Sequence, residues 1–138
     1  KITDYFNPGE VSEIWITFPD PQLRGSRFKK RLTHPRFLRL YQTILQNGGL
    51  VHLKTDSPDL YQFTLTVINL FQLDLLESSD NVYAANSVKP ELQIKTHYEG
   101  LDIAGSNRIH YCCFKVDKPL PIEKDDILKQ LISEQGTD

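Results

Sequence analysis

The chain has 138 residues and a mass of 15.9 kDa, room for one domain with a modest core. At 39% hydrophobic and 25% charged it has a globular composition, neither disordered nor fibrous. No apolar run approaches the roughly 20 residues needed to span a bilayer. The net charge of −2 conceals an asymmetry: positions 21–55 hold eight bases and no acid, while the rest holds the other eight bases and all 18 acids.

Residues 1–10 have no apolar stretch of the signal-peptide kind, so a soluble domain is expected. There is no Met, which places the natural start outside these residues and predicts a processed product or a piece of a longer protein. The two cysteines, Cys112 and Cys113, are adjacent. Neighbours in a strand point to opposite faces and do not normally bridge each other, so a reducing, cytoplasmic setting is expected.

Residues 13–18, EIWITF, are β-branched and aromatic and lie between two Pro-containing turns, which predicts a buried strand. Residues 22–30 form a basic loop without periodicity. A helix follows, with Thr33 as N-cap, Pro35 in the first turn, and Phe37, Leu40, Tyr41, Ile44 and Leu45 on one face. Asn47-Gly48-Gly49 ends it, and residues 50–55 alternate as a second strand. That order predicts a right-handed crossover between parallel neighbours.

Asp56-Ser57-Pro58 caps a second helix whose stripe is Leu60, Phe63, Thr64, Val67, Ile68 and Phe71. Residues 72–77 are expected as a third strand and 108–116 as a fourth. The stretch 80–105 between them is long and loosely patterned, as functional loops are. An amphipathic tail helix is expected over 123–133, so that residues 1–118 form the domain and 119–138 a tail. The order is that of half a doubly wound sheet, whose ligands bind beyond the carboxyl ends of the strands.

Two acids stand at two such ends. Asp20, in Phe18-Pro19-Asp20-Pro21, is presented on a turn stiffened by both prolines; as a plain turn residue it would look the same. Asp56 reads either as a ligand or as an ordinary N-cap. The run Arg24-Gly25-Ser26-Arg27-Phe28-Lys29-Lys30-Arg31 carries five bases around one aromatic, a phosphate clamp with a ring for stacking, or a solvated charged loop. Thr96-His97-Tyr98-Glu99 has capping-box spacing, which does not exclude a ligand contact. The four histidines and two cysteines lack metal-ligand spacing, and no nucleophile elbow, P-loop or Gly-rich dinucleotide loop is present.

These motifs, in this order, resemble the tRNA (guanine-N7-)-methyltransferases: residues 14–31 with their Phe-Pro-Asp-Pro and basic stretch, then 32–38, Gly48-Gly49 before Leu53-Lys54-Thr55-Asp56, and Thr96 to Glu99. The resemblance runs from about residue 13 to 115. It implies the C-terminal half of a Rossmann-like class I methyltransferase sheet, mixed, with helices on both faces. It implies S-adenosylmethionine as cofactor, most of whose site would lie upstream of residue 1, and methylation of a variable-loop guanine of tRNA (position 46 in tRNA numbering).

By motif, Asp20 looks like the family's catalytic aspartate, which also borders the cofactor. Arg24 falls where the family has a substrate-contacting lysine, Ser26 to Arg31 on the RNA-interaction stretch, and Asp56 with Thr96, His97, Tyr98 and Glu99 on the guanosine-binding positions. Gln22-Leu23 stand where the family usually has Trp followed closely by Lys or His, and the Gly-rich cofactor turn is absent. The rival readings are a non-catalytic RNA-binding module built on the same basic loop and an α/β interaction domain. A strand at 13–18 left without its upstream neighbours would favour a homodimer or strand exchange.

Overall fold

The computed structural model describes residues 4–23, 25–81 and 108–134. Among these residues four strands form one sheet: β1 (Val11–Thr17), β2 (Leu45–Thr55), β3 (Leu75–Ser79) and β4 (His110–Lys115), in the order β1-β2-β4-β3. β1 runs parallel to β2, and β4 runs antiparallel to both β2 and β3. The carboxyl ends of β1, β2 and β3 therefore emerge on one edge, beside the start of β4. Three α-helices lie among the described residues: α1 (Pro35–Ile44), α2 (Pro58–Leu70) and α3 (Glu123–Glu134). No described helix is long and apolar enough to cross a membrane.

Ile16, Val51, Leu53, Cys112 and Phe114 point from the sheet into one core with Leu38 and Tyr41 of α1, Phe63 and Val67 of α2, and Leu128 and Ile132 of α3. The helices thus draw their apolar stripes onto a single face. The expected second helical layer is not among the described residues. α3 is tied to α1 where Arg39 grips Asp125 with two bonds of 3.0 and 2.6 Å and donates from Nε to the Leu120 carbonyl.

The other face carries a polar aromatic stack. Trp15 lies flat on His52, with ring centroids 3.8 Å apart, and His52 bridges the Tyr111 hydroxyl (2.8 Å) and the Glu13 carboxylate (2.6 Å). Cys113 packs on this side with Tyr111 and Ile109, while Cys112 faces the helices. Both thiols are buried and outside any disulfide, on opposite faces as strand geometry requires, and burial pushes the Cys112 pKa up to about 12.

Several boundaries differ from the sequence reading. β1 stops at Thr17, because Phe18 turns to φ +49°. Only Ile16 of β1 is buried, since β1 is the edge of the sheet among the described residues. The Asn47-Gly48-Gly49 segment lies inside β2 rather than before it, where the pairing skips from Val11↔Leu45 to Glu13↔Leu50 and Gly48 takes φ +80°. β3 sits about three residues later than expected, after a turn in which Gln72 has φ +55°.

The cap of α1 is His34, not Thr33: its Nδ1 accepts the Arg36 amide hydrogen at 3.1 Å, and Pro35 takes the first helical position. Thr33 is drawn inward instead. Its hydroxyl donates to Thr64 Oγ1 at 2.7 Å, since the Thr64 hydroxyl already donates to the Leu60 carbonyl.

Capping through Nδ1 requires a neutral imidazole. Burial lowers the His34 pKa to about 4; Asp125 pulls it up, and Arg36, Arg39 and Lys29 add to the fall. Because the folded value lies below the ordinary 6.5, stability is complete above about pH 6.5. It is lost as the pH falls towards about 4, by up to roughly 3 kcal/mol. Denaturant titrations between pH 7 and pH 4.5 are expected to show a smaller loss in His34→Asn, which keeps a capping oxygen without titrating. An equal loss in both proteins would remove His34 as the source.

Candidate active site and nucleic-acid interface

β1 and β2 deliver their loops side by side, for Thr17 pairs with Lys54 and the Phe18 amide donates to the Lys54 carbonyl at 2.8 Å. Asp20 follows on the first strand and Asp56 on the second. Two bulky residues, Phe18 (φ +49°) and Gln22 (φ +50°), bracket Pro19-Asp20-Pro21 in the left-handed region. Each such conformation costs of order 1–3 kcal/mol and persists only where the surroundings over-determine it. Asp20 Oδ1 accepts the Gln22 amide hydrogen at 2.9 Å, which closes the turn with the side chain exposed. Asp20 is thus an exposed carboxylate on a turn stiffened by two prolines and two left-handed residues, whose flanking residues are half-buried.

Asp56 is half-buried and does not cap α2; Ser57 does, accepting the Leu60 amide hydrogen at 3.1 Å. The N-cap reading of Asp56 therefore falls, and its carboxylate is left at the sheet edge. Nearby, His110 at the start of β4 stacks on Tyr61 of α2 at 4.8 Å. Burial lowers the His110 pKa, while Asp80 and Asp56 both favour its charged form. Its Nδ1 is buried without a partner.

Asp80 directly follows β3, so it is a third acid beyond a third parallel strand end. Sequence reasoning missed Asp80 and His110 as members of the site. A third strand at 72–77 puts Asp80 inside a long loop, and in sequence His110 is one more residue of the fourth strand.

The basic run divides. A 3-10 turn over Gly25–Lys30 exposes Arg27, Lys29 and Lys30. Ser26 lies in the same turn. Phe28 and Arg31 are buried at 6% and 1% exposure, which corrects their assignment to the RNA-facing surface. The ring offered for base stacking packs edge-on against His34 at 5.3 Å instead. Three further bases of the acid-free stretch behave differently: Arg39 is paired with Asp125, Lys54 is buried, and Arg36 is exposed over the Phe37 ring. Of the described bases in this stretch, Arg27, Lys29, Lys30 and Arg36 are thus the exposed ones. Arg24 and the group Thr96, His97, Tyr98 and Glu99 lie outside the described residues.

A family model described as "Putative methyltransferase" matches residues 1–111. Among curated proteins, the chain is 45% identical over 116 residues to the tRNA (guanine-N(7)-)-methyltransferase of Porphyromonas gingivalis, covering 83% of this chain and 47% of that protein. It is 39% identical over 112 residues to the protein of the same name from Christiangramia forsetii, covering 80% and 50%. With that of Bacteroides thetaiotaomicron it shares 35% over 126 residues, covering 91% and 49%. The chain spans about half the length of the curated relatives it matches.

Proposed function

The chain belongs to this methyltransferase family, and from that membership we propose that it carries the catalytic carboxylate and the tRNA-facing side of an enzyme that methylates N7 of a variable-loop guanine in tRNA. The observation that carries the reading is Asp20, held exposed on a strained turn at the end of the strand paired with the one that leads to Asp56, and followed in the chain by the exposed bases Arg27, Lys29 and Lys30.

The residues present fit the cofactor such enzymes use: a rigid carboxylate at the carboxyl edge of a parallel pair suits a cationic sulfonium and its amine. S-adenosylmethionine, when bound, supplies an electrophilic methyl group. Guanine N7 already holds its lone pair, so no base is needed, and the chain's task is alignment and charge compensation. Asp20 offsets the positive charge that grows on the guanine ring as N7 forms its new bond. Asp56 and Glu99 accept hydrogen bonds from the guanine Watson–Crick edge, with Thr96, His97 and Tyr98 as further guanosine-binding positions, and Asp80 and Asp56 both act on the charge of His110 beside them. Arg27, Lys29 and Lys30, with Arg24, Ser26 and Arg36, hold tRNA phosphates and set its register without reading sequence.

Cys112 and Cys113, buried and not joined in a disulfide, support a reducing, cytoplasmic setting. The free edge of β1 among the described residues supports strand addition there, from elsewhere in the protein or from a second copy.

The test is methyl transfer by the full-length protein to tRNA carrying 7-deazaguanosine at the variable-loop position. The expected result is transfer to ordinary tRNA and none to the deaza form, which has carbon in place of N7. Equal transfer to both would overturn the reading.

A further inference from the structure

We infer that Arg31 is a positioning residue for Asp20, acting from inside the fold through the backbone of Gln22. Four observations build the link. Arg31 is 1% exposed, so it cannot reach a phosphate. Its guanidinium lies over the Phe63 ring of α2, 4.6 Å from the centroid. Its Nε donates to the Gln22 carbonyl at 3.1 Å. The Gln22 amide in turn donates to Asp20 Oδ1. A continuous chain of contacts therefore runs from the core helix to the carboxylate, across a residue whose own φ is +50°.

Stability alone gives Arg31 a poor justification. A buried cation loses its hydration, and among the described residues Arg31 has no ion pair; Asp59 favours its charge only at longer range. Its Nη2 is buried without a partner as well. An apolar chain such as Met would fill the space over Phe63 at less cost. What only arginine supplies is a rigid N–H aimed at the Gln22 carbonyl while its plane stays on the ring. That bond over-determines the left-handed Gln22, as a strained functional turn requires. The sequence placed Arg31 among the RNA ligands; the geometry assigns it the opposite direction, towards the loop.

The inference rests on the proposed methyl transfer for its kinetic readout, so a second readout is independent of activity. In the full-length protein, Arg31→Met is expected to lower kcat at least tenfold with KM for tRNA and its salt dependence unchanged. Hydrogen exchange over residues 18–23 should quicken while α2 keeps its protection. Thr33→Val serves as the control, since Thr33 is buried two residues along and its hydroxyl bonds Thr64 of α2, not Gln22. It is expected to lower thermal stability and leave kcat alone.

A raised KM and a shallower salt slope, with loop exchange unchanged, would make Arg31 a phosphate ligand and overturn the inference. Exchange that quickens uniformly through the fold would make it a packing residue only, and would overturn the inference equally. If the wild-type protein transfers no methyl group, the functional reading fails, and the exchange comparison still decides the role of Arg31.

Discussion

Asp20→Asn in the full-length protein is expected to lower the rate of methyl transfer by at least two to three orders of magnitude while the protein stays folded, on the scale seen when one preorganised electrostatic group is removed from an active site. The substitution is chosen because Asn keeps the side-chain oxygen that accepts the Gln22 amide hydrogen, so the Pro-Asp-Pro turn retains its closure. Only the charge is lost. Asp20→Ala removes charge and closure together and is expected to be at least as damaging, with faster exchange in the loop as an added sign. Single-turnover measurement at saturating tRNA separates the chemical step from binding. Near-wild-type turnover in Asp20→Asn would withdraw the catalytic assignment, whatever the tRNA affinity.

The second large effect belongs to the exposed turn. Replacing Arg27, Lys29 and Lys30 together by Gln is expected to weaken tRNA binding and to flatten the plot of log affinity against log salt by about two to three units, close to one per phosphate contact released. Because phosphate contacts position without reading bases, the loss should be similar for every tRNA tested, and kcat at saturation should hold. Lys129→Gln, an exposed base on α3, removes the same kind of charge elsewhere and should leave the slope unchanged. An unaltered slope in the triple variant would place the tRNA on another surface.

The two expectations concern different physics, and the fold keeps them apart. Asp20 acts at short range on a developing charge, so it must be immobile; hence the prolines, the two left-handed residues and the turn-closing bond. The three bases act through a diffuse field, so they need only be exposed on one turn, and their side chains can be long and loosely held.

What the sequence by itself determined was local. Pro35 and Pro58 mark the first positions of α1 and α2, the apolar stripe of α2 reads directly from its spacing, and α3 lies within a residue of its expected end. The order of strands and helices set Asp20 and Asp56 at neighbouring strand ends, since a parallel pair joined by one helix must bring its carboxyl ends together. The acid-free stretch was legible as a cationic surface because charge can be counted without knowing any contact.

What only the tertiary structure decided were matters of partners distant in the chain. Phe28 and Arg31 look like their exposed neighbours in a run with no periodicity, and Arg31 is buried because Phe63, across a helix and a strand, offers its ring. Thr33 yields the cap of α1 to His34 because Thr64 accepts its hydroxyl. Asp80 joins the site because β3 pairs with β4 three residues later than its hydrophobic run suggests. In each case propensity sets what a residue can do, and which of those options is taken depends on a contact whose entropy cost only the assembled core repays.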